Sequence, residues 1–231
     1  MRGFTEIHAH FVYGVDDGAI TKADMEAMLD AANADGIASL FATPHVTPGL
    51  KPFDRRAFQI HFEEAQTYCR EQGYSMKLYT GAEILYTPAL EQYAIDHRLP
   101  VLADSNEVLL EFTPRITFRE MDHALALLER LGYVPVLAHI ERYACLFAGR
   151  NATKMKRCYD VRYQVNANTV LTGQGYLRTR KVRSWFQDGL VDHVASDAHD
   201  VRNRPFQLKK AYSLLKEQYG SMEAGRLTGL E

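Results

Sequence analysis

The chain has 231 residues, 46% of them hydrophobic, enough for one sizeable core, and barrels of this length are commonly one domain. A net charge of -2 leaves no global basic field of the kind nucleic acid demands. No run of 18 apolar residues is present to span a bilayer. We therefore expect a single domain over residues 1–231, with nucleic acid excluded as the main partner.

In chain order, a first strand over Gly3–Ile7 runs into Glu6-Ile7-His8-Ala9-His10 and then the turn Gly14-Val15-Asp16-Asp17-Gly18. An amphipathic helix follows over Thr21–Asp35, with Thr21 as its cap and Gly36 as its stop. A strand over Ile37–Ala42 leads to His45. A helix over Asp54–Gln72, capped by Asp54, ends at Gly73. A strand over Met76–Gly81 precedes Glu83, and a helix covers Thr87–Asp96. The strand Glu107–Glu111 is followed by a helix over Phe118–Leu131 and Gly132. The strand Val134–Ala138 ends before His139. A shorter helix lies near Ala152–Tyr159, before the strand Arg162–Asn166. The helix Arg178–Asp188 with Gly189, the strand Asp192–Ala195 and the helix Pro205–Tyr219 complete the pattern. From Ser221 on, a frayed tail is expected.

Buried strands alternating with helices argue for a parallel sheet. Seven strands are too few for the usual eightfold closure, so the expectation is α/β with a distorted (β/α)7 barrel, and an open doubly wound sheet is the alternative. The polar residues favour the barrel. His8, His10, His45, Glu83, Glu111, His139, Asp197 and His199 all fall at C-terminal strand ends, where barrels build their sites.

His8 and His10 are two apart, so in an extended segment both rings face one way and can reach one ion. Asp197-x-His199 repeats the logic and adds a hard carboxylate. In a closed barrel the first and last strands are neighbours, which would bring the two motifs together. Glu83 and Glu111 end apolar strands, and a carboxylate there is costly to bury unless it meets cations. Asp17 is the candidate ligand of its turn. Asp16 either caps the next helix or orients a neighbour. Imidazole and carboxylate without thiolate suit Mn²⁺, Fe²⁺ or Zn²⁺, and such sites make hydroxide from water at neutral pH.

His61, His97, His123 and His193 lie away from C-terminal strand ends and read as structural or solvent-exposed. Cys69, Cys145 and Cys158 form no CxxC pair, which fits a reducing compartment and gives no zinc knuckle. Candidate ligands that begin at His8 leave no room for a cleavable signal peptide, so a cytoplasmic protein is expected.

With these motifs the chain resembles the PHP (polymerase and histidinol phosphatase) superfamily. Within it, the chain looks most like the manganese-dependent protein-tyrosine phosphatases of bacterial capsule and exopolysaccharide clusters. The match runs nearly end to end, through Glu6-Ile7-His8-Ala9-His10, Asp16-Asp17-Gly18, Thr43-Pro44-His45, Gly81-Ala82-Glu83, Leu110-Glu111, His139-Ile140-Glu141-Arg142-Tyr143, Gln164-Val165-Asn166-Ala167 and Ser196-Asp197-Ala198-His199. The resemblance implies three divalent metal ions, Mn²⁺ first, with Fe²⁺ or Zn²⁺ as alternatives. One ion would take His8, His10, Glu83 and Asp197. A second would share Glu83 and add Glu111 and His139. The third would take Asp17, His45 and His199.

The resemblance also implies that Arg142 and Arg204 bind phosphate, although Arg202 lies close enough in sequence to replace Arg204. A proton for the leaving group would come from His199 or from a metal-bound water. The implied substrate is a phosphotyrosyl protein, a bacterial tyrosine kinase of polysaccharide synthesis, hydrolysed by a metal-bridging hydroxide. A homo-oligomer is a further expectation.

The stretch Val46–Phe53 departs from the family's pattern and would border the substrate entrance. The rival readings are a phosphoesterase on a small metabolite such as histidinol phosphate and a metal-binding module without turnover. Cys145 lies one residue too close to Arg150 for the phosphate loop of cysteine-dependent phosphatases.

Overall fold

The computed structural model describes residues 3–230. Nine parallel strands, β1 (Phe4–Ala9), β2 (Ile37–Ala42), β3 (His45–Val46), β4 (Lys77–Thr80), β5 (Glu83–Leu85), β6 (Glu107–Glu111), β7 (Val134–Leu137), β8 (Arg162–Asn166) and β9 (His193–Ala195), form two ladders. Their orders are β1-β2-β4 and β3-β5-β6-β7-β8-β9.

Register shows that nine strands amount to seven. Ala42 opposes Thr80 and, three residues later on each chain, His45 opposes Glu83. So β2 and β3 are one strand interrupted at Thr43-Pro44, and β4 and β5 are one strand interrupted at Gly81-Ala82. Pro44 has no N–H to give a ladder. A Cβ on Gly81 would stand 2.7 Å from Leu102 Cδ2, so the strand passes there only without a side chain.

The ring closes through a parallel bridge between Ala9 and Ala198, where the His10 N–H donates to the Ala198 carbonyl at 2.8 Å. The expected distorted barrel is therefore the fold, and the open doubly wound alternative is not. A core cluster of Ile7, Leu102, Leu109, Val136, Ala138 and Ala195 draws on strands from opposite arcs, which places it inside the ring. The larger cluster fills the layer between strands and helices.

The helices are α1 (Lys22–Asp35), α2 (Arg55–Glu71), α3 (Leu90–Ile95), α4 (Phe118–Arg130), α5 (Ala144–Phe147), α6 (Asn151–Cys158), α7 (Ala167–Thr172), α8 (Tyr176–Gln187), α9 (Leu208–Tyr219) and α10 (Ser221–Thr228). Thr21 starts α1 with a reciprocal capping box to Asp24, and Asp54 caps α2 through the N–H groups of Arg56 and Ala57. Gly36, Gly73, Gly132 and Gly189 all carry positive φ after helices, as their positions predict.

Two expectations fail and one helix is unforeseen. Thr87 does not begin a helix; it is buried, its hydroxyl donating to the Pro48 carbonyl at 2.7 Å, and α3 starts at Leu90. The segment after Asn166 is helical as α7. The residues after Ser221 are not a frayed tail but α10, which buries Ala224, Leu227 and Thr228.

Candidate metal centre

Ring closure decides what the sequence motifs can do together. His8 lies on β1 and His10 just beyond it. His45 and Glu83 open β3 and β5, Glu111 ends β6, and His139 follows β7. Asp197 and His199 follow β9. The ligand atoms of His8, His10, Glu83 and Asp197 lie within 4.8 Å of one another, and all four residues are buried. His10, Asp17, His45 and His199 form a second such group, and His45, Glu83 and Glu111 a third.

His139 joins by its Nε2, 2.8 Å from Glu83 Oε1 and 3.4 Å from Glu111 Oε1. Its N–H group donates elsewhere, so the ring alone reaches the centre. His45 faces two ways, with Nδ1 3.0 Å from Glu83 Oε2 and Nε2 3.2 Å from Asp17 Oδ1. All nine candidate ligands thus converge. Glu83, His10 and His45 stand where the groups overlap, and His10 and His45 each belong to two groups where the resemblance gives them one.

A test of fit comes from hydrogen bonding. His8 Nε2, His10 Nε2 and His199 Nε2 are buried without a hydrogen-bond partner. Orphaned buried polar atoms each cost about 1–3 kcal/mol, so three imidazole nitrogens aimed at one spot beside the Asp197 carboxylate fit cations. The nitrogen and oxygen donor set suits Mn²⁺, Fe²⁺ or Zn²⁺.

The local turn explains how His10 is aimed. Asp16 does not cap the next helix. Its carboxylate lies 2.6 Å from His10 Nδ1 and accepts the N–H groups of Gly18 and His45 at 3.0 Å each. His10 Nδ1 therefore carries a proton and Nε2 faces the cluster. A Cβ on Gly18 would sit 2.0 Å from the His10 carbonyl oxygen, so the Asp-Asp-Gly turn closes over His10 only with glycine.

Electrostatics tie the groups together. Burial disfavours the charged Glu83, yet attraction to His8 and the His10, His139 and His45 rings against it hold its carboxyl well below the usual range. Burial likewise opposes the His10 cation, but the hydrogen bond to Asp16 and the nearby Glu83 carboxylate raise it to about 10. Glu111 is pushed up by burial and by Glu83. His199 is pushed down to about 4 by burial, His10 and Arg204. His139 and Asp197 sit at φ 33° and 54°, a conformation that costs a non-glycine residue about 1–3 kcal/mol and clusters at functional sites.

Two guanidiniums flank the centre. Arg142 Nη2 lies 2.8 Å from Asp197 Oδ2, and Arg204 Nη2 lies 2.8 Å from Asp197 Oδ1. Both are more than a third exposed, so their remaining donors face the mouth. Arg202 is exposed, and its backbone N–H turns back to Asp200, so Arg204 is the arginine the fold delivers.

Of the other histidines, His61 stacks on Tyr13 and hydrogen-bonds its carbonyl, and His97 and His123 are exposed. His193 lies at the start of β9 and is pushed down to about 4, chiefly by burial.

Some working residues escape sequence reasoning. Glu6 is fully buried and accepts the His8 N–H at 3.1 Å and the Ser196 N–H at 2.8 Å, so it staples the first strand to the last. Its one sequence signal is an acid inside an apolar strand beside His-x-His. Tyr143, also buried, accepts the Phe112 N–H and stands 3.4 Å from His139 Nδ1. A cavity of about 700 Å³ runs along the departing loop, lined by Val46, Lys51, Arg55, Ala82 and Arg98 among others. It lies beside the centre, touching it only through chain neighbours of His45 and Glu83.

Known proteins resemble this chain over nearly its whole length. The chain is 30% identical over 230 residues to the tyrosine-protein phosphatase CpsB of Streptococcus pneumoniae, covering 96% of this chain and 93% of that one. It superposes with a TM-score of 0.82 and 26% identity on a chain from the crystal structures of YwqE from Bacillus subtilis and CpsB from Streptococcus pneumoniae, described as unique metal-dependent tyrosine phosphatases. That match covers 97% of this chain and 91% of the other. A phosphotriesterase homology protein from Escherichia coli shares the fold alone, with a TM-score of 0.58 at 12% identity over 97% of this chain and 95% of that one. The family described as "Capsular polysaccharide synthesis, CpsB/CapC" matches residues 4–229, and the chain belongs to that family.

Proposed function

We propose that this protein is a metal-dependent phosphoric monoester hydrolase acting on phosphotyrosine in protein. The observation that carries the reading is the convergence of three buried, unpartnered imidazole nitrogens and the Asp197 carboxylate beneath two partly exposed arginines. Three divalent ions, Mn²⁺ first, would be held by His8, His10, Glu83 and Asp197, by Glu83, Glu111 and His139, and by Asp17, His45 and His199. Bound there, such ions neutralise phosphoryl oxygens and lower the pKa of water to about 7.

The chain's own groups do the rest. Arg142 and Arg204 present forked N–H donors to the non-bridging oxygens while each also touches Asp197. Asp17 and His45, the more exposed members, form the rim over which the ester enters. His199 serves as a ligand. Its Nδ1 faces the Asp197 carbonyl at 3.1 Å, its Nε2 has no hydrogen-bond partner, and the ring is neutral at pH 7. A phenoxide, with a pKa of about 10, leaves without a strong acid, which favours tyrosyl over seryl esters. Cys145 is half-buried, burial raises its thiol, and no cysteine belongs to the ligand groups of the centre.

The family's description supports a substrate in polysaccharide synthesis, and we assign a phosphotyrosyl segment of a bacterial tyrosine kinase, met in the cytoplasm. No helix among the described residues is long and apolar enough to cross a membrane. The test is phosphate release from a phosphotyrosyl peptide, a phosphoseryl peptide and histidinol phosphate, by metal-stripped protein and after Mn²⁺ is restored. Mn²⁺-dependent turnover of the phosphotyrosyl peptide above the others is expected. Preference for histidinol phosphate would move the protein to small-metabolite chemistry, and no turnover with metals bound would end the enzymatic reading.

A further inference from the structure

Gln164 lies in β8, is fully buried, and belongs to no ligand group. Its Oε1 accepts the backbone N–H of His139 at 2.7 Å. A backbone N–H can only donate, so the carbonyl end of this amide is the end that faces His139. The same oxygen lies 3.2 Å from His8 Nδ1. Opposite an acceptor, Nδ1 carries the ring proton, which leaves the Nε2 lone pair to face the cluster. That Nε2 stands 3.2 Å from Glu83 Oε2 and 3.4 Å from Asp197 Oδ1.

The other end of the amide is then fixed as a donor. Gln164 Nε2 donates to Asn166 Oδ1 at 2.7 Å, which turns Asn166 Nδ2 toward Asp197 Oδ2 at 2.9 Å. A single backbone N–H thereby sets the direction of every hydrogen bond from His139 through Gln164 and Asn166 to Asp197, and of the branch to His8. The path links His8 on β1, Gln164 and Asn166 on β8, and the residues that follow β7 and β9, so it runs along neighbouring strands on one side of the ring.

We infer that Gln164 is a positioning residue shared by the metal ligands: it selects the His8 tautomer, seats His139 at its strained backbone angle and, through Asn166, orients Asp197. This deepens the metal-dependent reading above and rests on it. An uncharged amide suits the place because it must accept at one end and donate at the other. A methionine of similar size would fill the space while leaving the His139 N–H and the His8 Nδ1 proton unpaired.

The test is Mn²⁺ binding, followed by electron paramagnetic resonance of the free ion, for wild type, Q164M and N166A. It is run well below each variant's melting temperature, with circular dichroism as the folding control. Loss of an outer-shell partner typically weakens metal affinity by about 10–100-fold, and that weakening is expected for Q164M, with a smaller one for N166A, which severs only the branch to Asp197. A residue that only fills space would lower the melting temperature and leave the affinity of the folded protein untouched. Wild-type Mn²⁺ affinity in folded Q164M therefore overturns the inference. Should Q164M fail to fold, N166A decides, and unchanged affinity there overturns the relay. A wild-type chain that binds no Mn²⁺ defeats the metal reading itself and this inference with it.

Discussion

Asp197 sits at φ 54° with Arg142 against one carboxylate oxygen and Arg204 against the other. Attraction to His8 overcomes burial and holds its carboxyl far below the usual range. It is therefore charged at any working pH, and on the proposed function its neighbours divide into groups that would bind metal and groups that would bind phosphate. The division is testable by a pair of variants. His139→Ala removes a ring facing Glu83 and Glu111, so metal content should fall and turnover with it, by at least the roughly 100-fold of a lost outer-shell partner. Metal analysis and phosphate release read both, and retained turnover would strike His139 from the ligands. Arg142→Ala should keep its metals and weaken vanadate or phosphate inhibition about tenfold or more, the worth of a charge-assisted hydrogen bond. An unchanged inhibition constant would end its assigned role. At this scale the sequence shows residue types well, because histidines and acids at strand ends have few other uses. It does not show Glu6 or Gln164 at work, because their partners are backbone N–H groups distant in the chain.

The helices that sequence reasoning misses are short and poor in helix formers. Ala167–Thr172 contains Thr169, Val170 and Thr172, whose branched side chains disfavour helix. What starts α7 is tertiary: Glu141, fully buried, accepts the Asn166 N–H at 3.1 Å and the Thr169 hydroxyl at 3.0 Å. Likewise α10 contains Gly225, yet Ala224 and Leu227 pack inward, the Gly229 carbonyl takes the Thr5 hydroxyl at 3.2 Å, and Arg226 reaches the Val191 carbonyl at 2.8 Å. The C-terminal helix thus covers the seam between β1 and the start of β9. Leu227→Ala should destabilise the protein by about 2–5 kcal/mol, the usual range for a buried leucine. Urea unfolding measures it, and a loss under about 0.5 kcal/mol, typical of surface changes, would show that the seam does not depend on α10.

Closure makes the molecule more than its strands. Glu83, Glu111, Asp17 and Asp197 are drawn to one end of the ring, where their mutual repulsion works against folding unless positive charge joins them. Divalent ions should therefore stabilise the whole chain. At a hundredfold excess over Kd one site contributes about 2.7 kcal/mol. At about 2–4 °C per kcal/mol for a domain of this size, metal-stripped protein should gain about 5–10 °C in Tm when Mn²⁺ is added. Imidazoles must lose their protons to bind metal, so the gain should shrink as pH falls and the histidine ligands take up protons. A Tm indifferent to Mn²⁺ at neutral pH would contradict the metal centre.

The sequence by itself determined the alternation of strand and helix, the seven-strand count, the caps at Thr21 and Asp54, and the residues able to bind metal. Each of these follows from periodicity, local hydrogen bonding or side-chain chemistry, which act within a few residues. The tertiary structure decided the rest. Ring closure through Ala9 and Ala198 brings His8 and Asp197 together across 189 positions of chain. The same closure threads Gln164 between His8 and His139 and stands Glu6 against the Ser196 N–H. Such pairings depend on register between strands far apart in sequence, and no local pattern encodes register.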